Sequence, residues 1–151
     1  MRLFIFLAGA AMACSYFVTW IEPPFAGQEL SPNALIGDGL QDMIVDGPWQ
    51  AWVFLGGFAA AGLAALTGLL GRGSGLFCLL AGLSPVVLGI HFYSRADEFR
   101  ANLGLPFEID FQNAEQAYEL LSDFIRAGLW MYLGGAAVLL LAGLAMTLGR
   151  R

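Results

Sequence analysis

Residues 49–70 read WQAWVFLGGFAAAGLAALTGLL. No Asp, Glu, Lys or Arg interrupts them. The run exceeds the roughly 20 apolar residues that a helix needs to cross a hydrocarbon core about 30 Å thick. Small residues recur along it, which favours close helix–helix approach in lipid. This stretch decides the fold class, because three more like it follow or precede it. Residues 3–21, 76–92 and 127–148 are also apolar and free of charge.

Composition agrees. Of the 151 residues, 58% are hydrophobic and only 13% charged, where a soluble domain carries roughly 25% charged residues. The expected fold is all-α: an integral membrane four-helix bundle in a single domain, 1–151. Long segments 22–48 and 93–126 should form a small helical cap at one end. Segment 3–21 begins like a secretory leader, with Arg2 before an apolar core and Cys14 after Ala-Met-Ala. Its apolar run continues to Ile21, so it reads as a retained span.

Charge distributes unequally between the two ends. All twelve acids fall in 22–48 and 93–126, against Arg95, Arg100 and Arg126. The short end holds Arg2, Arg72, Arg150 and Arg151 within a few residues. Arginine density sets orientation, so both termini are expected in the cytoplasm and both long segments outside. All seven basic residues are arginine, and with the many Ala and Gly this points to a bacterial inner membrane. The net charge of −5 gives no footing for nucleic acid.

Within the long segments, Ser31-Pro32 marks a helix start and Gly47-Pro48 a stop. Asp38, Asp42 and Asp46 would line one side of that helix, an acidic docking face for a basic periplasmic partner. The helical pattern of the third span can run on to Asn102. That of 113–128 can run straight into the fourth span.

Packing is expected at glycine and alanine stripes: Gly75, Gly82 and Gly89 in the third span, and Gly57, Ala61 and Gly68 in the second. Aromatic residues Tyr16, Trp20, Trp49, Trp52, Tyr93, Trp130 and Tyr132 gather toward the long-segment ends, as an interfacial belt does.

Catalytic grammar is missing. There is no phosphate loop, no His-Glu-x-x-His and no Gly-x-Ser-x-Gly, so no catalytic residue and no metal site is expected. His91, the chain's one histidine, is the only candidate cofactor ligand, as single axial ligand to a pigment or haem. The plainer reading places it where a helix meets water, bonded to Asp97, Glu98 or a lipid headgroup. The spans hold few polar residues: Ser15, Thr19, Thr67, Ser84 and Thr147. The leading functional expectation is therefore a non-catalytic accessory, assembly or scaffolding subunit of a larger membrane complex, respiratory or photosynthetic. A small oligomeric channel or transporter component comes second. Expected partners are lipids and other membrane subunits or further copies of the chain. A periplasm-active reporter fused after Arg151 should be silent; activity there would reverse the orientation.

Overall fold

The computed structural model describes residues 2–22, 31–71, 74–95 and 125–149. In chain order it has α1 (Arg2–Cys14), α2 (Pro32–Ile36), a 3-10 turn (Gly37–Gly39), α3 (Leu40–Val45), α4 (Trp49–Leu69), α5 (Gly75–Ser94) and α6 (Ala127–Leu148). The described residues form no strand, only an isolated antiparallel bridge between Ile21 and Ile125. Three helices, α4, α5 and α6, are long and apolar enough to cross a membrane. At 1.5 Å per residue, the 21 residues of α4 span about 30 Å, the thickness of the hydrocarbon core. Between 28% and 39% of each spanning window is buried inside the protein. The larger share of each apolar surface faces outward, as lipid contact requires.

The first apolar segment departs from expectation. It is not one helix over 3–21: α1 stops at Cys14. The Ser15 amide makes the last helical bond, to Ala11 at 3.0 Å. The bonds then tighten to the i−3 type, Tyr16 to Ala13 and Phe17 to Cys14. The Ser15 hydroxyl donates back to the Met12 carbonyl at 2.6 Å, the local competition that makes serine a poor interior helix residue. At 13 residues, α1 is about 20 Å long.

Unwound backbone shielded from water needs other partners, and several are found here. The Ser15 carbonyl accepts the Trp20 indole N–H at 2.7 Å. Asn33 N–H reaches the Tyr16 carbonyl at 3.1 Å, Gly128 N–H the Thr19 carbonyl at 3.1 Å, and Arg126 N–H the Trp20 carbonyl at 2.8 Å. The last two bonds also fix where α6 starts. Ile125 and Arg126 are extended, so the expected continuous helix into the fourth span is broken immediately before Ala127. The rest of 96–124, including Asp97, Glu98 and Asn102, lies outside the described residues.

The cap helix also differs. Ser31 accepts the Ala34 amide at 3.1 Å and Pro32 opens the helix, but α2 ends after one turn. Gly37 takes φ +46°, a left-handed value that glycine tolerates and a helix does not continue through. The chain restarts as α3 at Leu40. In the third span, α5 runs on through Pro85.

Helices approach each other at glycines. α1 packs against α4 and α6, and α5 against the same two. A Cβ built on Gly9 would lie 2.7 Å from the Ala61 carbonyl oxygen, across the α1–α4 contact. On Gly57 it would lie 2.6 Å from Ser84 Cβ, across α4–α5. On Gly82 it would meet Leu140 N at 2.6 Å, across α5–α6, and on Gly135 the Ala8 oxygen at 2.8 Å, across α1–α6. Every one of the four contacts thus contains a position that only glycine fits. Ala61 is fully buried, and a Cβ on Gly68 would press on α1 at 3.1 Å. Gly75 makes only ordinary contacts, its nearest at 3.5 Å, and Gly89 has nothing within 4 Å. The stripe in α5 therefore does not extend to Gly89, which faces outward.

Gly82→Ala should destabilise the protein in detergent by about 1–3 kcal/mol, the cost of overpacking. Gly89→Ala should be neutral or stabilising by about 0.5–1 kcal/mol through helix propensity. Thermal unfolding followed by circular dichroism separates them; equal midpoints would show that α5 and α6 do not meet at Gly82.

Candidate functional site

The end of the molecule where α1 stops and α4 starts holds most of the polar and aromatic chemistry. Trp20 follows the unwound segment back into the interior. Its ring lies 4.8 Å from Tyr132, 5.8 Å from Phe54 and 6.2 Å from Phe58, centre to centre. Tyr16 meets Phe58 edge-on at 5.3 Å. These rings close this end of the core, where glycines cannot fill the space. Such T-shaped and tilted pairs add about 0.5–1.5 kcal/mol each beyond burial.

The expected aromatic belt accordingly splits in two. Tyr132 is only 3% exposed, and Tyr16 and Trp20 are half-buried against the core. Trp49, Trp52, Trp130 and Tyr93 face outward. Sequence position alone could not tell the groups apart, because all sit near the same ends of their spans.

Buried hydroxyls are few and mostly bonded to backbone carbonyls. Ser84, on α5, donates its hydroxyl to the Val53 carbonyl of α4 at 2.9 Å and lies 3.4 Å from the Tyr132 hydroxyl of α6. One side chain thereby links three helices. Thr67 and Thr147 turn their hydroxyls to carbonyls of their own helices, Leu63 at 2.9 Å and Gly143 at 3.0 Å. Ser15 does the same to Met12. Cys78 is buried, Cys14 is exposed, and both are free thiols.

His91 lies in the last turn of α5. Its Nε2 is 2.8 Å from Nε2 of Gln50, in the first turn of α4. The Trp49 ring stands edge-on to the imidazole at 4.9 Å. Its described partner is thus on another helix, while Asp97 and Glu98, the partners expected from the sequence, lie outside the described residues. Gln50 Oε1 is buried without a partner. Because an imidazole nitrogen can donate or accept according to tautomer, the amide can present either end to His91. Sequence reading missed Gln50, since a lone glutamine at a span's start carries no signature.

The acidic stripe is only partly placed. Asp42 lies in the first turn of α3 and Asp46 caps its end, both exposed. The Asp38 side chain lies outside the described residues. A second polar contact joins the two long segments: Arg126 Nε and Nη2 reach Glu22 Oε2 at 2.6 and 2.5 Å. Both side chains are about half exposed, so the pair contributes at most about 1 kcal/mol. Among the described residues, no three His, Cys, Asp or Glu side chains gather as metal ligands. Compared with known proteins, the chain matches no family model, no curated sequence and no solved structure.

His91→Gln should leave folding nearly unchanged, since glutamine can still bond to Gln50. His91→Leu strands the Gln50 amide and should cost about 1–3 kcal/mol. Melting curves of the two variants in one detergent check this; a leucine variant as stable as wild type would show that the contact does not hold α4 to α5.

Proposed function

We propose that the chain is a four-span membrane protein, with α1 and its unwound extension as the shortest span. Its role is that of a non-catalytic accessory, assembly or scaffolding subunit in a larger complex of a bacterial inner membrane. One observation carries the reading. The hydroxyls inside the described helices are engaged in holding the helices, Ser84 to Val53 and Tyr132 and the others to their own backbones. Such groups serve the fold, and lining a path for solutes would require them turned away from their own carbonyls. The same observation weakens the oligomeric-channel reading. His91 is read as an interhelical contact, because Gln50 stands at its Nε2.

The outward surface supports association within the membrane. Leu80, Ile90, Leu141 and Leu66 project from three different helices, so every side offers apolar contact. At the acid-rich end, Asp42 and Asp46 are exposed and can attract a basic partner, chiefly by speeding encounter at low salt.

Extraction from native membranes in a mild detergent tests the proposal. The expected particle has a mass well above the 16.2 kDa of the chain and contains other polypeptides in fixed ratio. A particle made of this chain alone would overturn the accessory role. Neutralising Asp38, Asp42 and Asp46 together to Asn should lower the rate of partner capture at low salt; an unchanged rate would remove that stripe from the interface.

A further inference from the structure

The end of the molecule opposite the aromatic rings carries a cation without a partner. α1 begins there, against the last turn of α4: a Cβ built on Gly68 would lie 3.3 Å from the Arg2 carbonyl oxygen and 3.1 Å from Phe6 N. The Arg2 side chain lies over the turn that ends α4, its Nη1 3.4 Å from a Cβ built on Gly71. Gly71 takes φ +74°, so no side chain there screens the guanidinium. α5 starts at this end with Gly75, beside Met146 and Thr147 of α6, so α6 ends here too. Arg126, at the other end, is held by Glu22. Among the described residues, no carboxylate or carbonyl takes a hydrogen bond from the exposed Arg2 guanidinium.

We propose that this end binds the phosphate of an anionic phospholipid, with Arg2 as the fork that takes two of its oxygens. Two features agree on that occupant. The first is charge. The chain carries Arg72 directly after Gly71, and Arg150 and Arg151 directly after Gly149, and has no acid in 1–21, 47–96 or 124–151. A guanidinium matches a phosphate with two parallel N–H donors. Unopposed positive charge repels the ammonium of a zwitterionic headgroup, so an anionic headgroup is preferred.

The second feature is level. Leu3, Phe4, Leu70, Leu76 and Leu148 stand exposed at this end. Large apolar side chains therefore face outward up to the last turns, as contact with acyl chains requires. Arg2 comes directly before Leu3 and Phe4, and its long stem carries the charge past them to the headgroup layer. The phosphates lie in that layer. The inference rests on the membrane-spanning reading and is independent of the accessory role.

The test uses the full chain in nanodiscs of equimolar phosphatidylethanolamine and phosphatidylglycerol, then detergent washing and mass spectrometry of retained lipid. Phosphatidylglycerol should be retained with about fivefold enrichment over phosphatidylethanolamine, the ratio expected for one favourable arginine at the surface. The enrichment should fall as salt rises, since the Debye length shrinks from about 10 Å at 0.1 M to about 3 Å at 1 M. Arg2→Gln should bring the ratio close to one. Arg2→Lys keeps the charge without the fork and should keep part of the enrichment. Arg126→Gln, at the other end, should leave the ratio as in the wild type. Wild-type lipid that matches the bulk mixture would overturn the proposal, and so would an enrichment that survives Arg2→Gln. A chain that stays outside the disc would overturn the spanning reading and this inference with it. Purification without partners alters none of these outcomes, so failure of the accessory role would be seen separately.

Discussion

Helices in lipid lack the force that joins helices in water, because the surrounding acyl chains are as apolar as leucine. Contact must come from close packing of backbones. Gly9, Gly57, Gly82 and Gly135 each sit where an added Cβ would fall within 2.9 Å of a neighbouring helix. They lie on four different contacts, and removing any one would push two helices apart. The short α1 depends most on this device. It has too few residues to hold its place by length, yet Gly9 and Gly68 bring it against α4 while Gly135 brings α6 against it.

The early end of α1 brings a second constraint. An unwound amide or carbonyl shielded from water needs a protein partner. Trp20, Asn33, Gly128 and Arg126 supply such bonds to the carbonyls of residues 15, 16, 19 and 20. The bridge between Ile21 and Ile125 is thus part of the same solution. It ties the segment after α1 to the residues before α6, and Glu22 with Arg126 adds a weak electrostatic clasp.

Much of this was legible in the residues. The spans expected at 49–70, 76–92 and 127–148 correspond to α4, α5 and α6 within two residues at each end, because uncharged length is a strong signal. The boundary of α1 was not legible. Residues 15–21 are as apolar as a helix requires, and what unwinds them is tertiary: the space between Phe54, Phe58 and Tyr132 that accepts Trp20. The break at Gly37 had a local sign, two glycines within three residues, but the positive φ that makes it decisive shows only in the folded backbone. Gly82 and Gly89 lie seven apart and look equivalent in the sequence. Only the placement of Leu140 separates the buried one from the open one.

The core is not uniform along its length. Toward Arg2, Gly9, Gly68 and Gly143 bring backbones together. Toward Trp49, aromatic rings and the Ser84–Tyr132 contact take over. Rings fill a wider space than glycines and leave grooves between them where helices alone would leave none. That end also carries the exposed acids Asp42 and Asp46 and the outward-facing Trp49 and Trp52. Tight packing at one end thus frees the other to carry irregular backbone and surface chemistry. At the aromatic end, then, the described chain carries both its irregular backbone and the exposed acids Asp42 and Asp46.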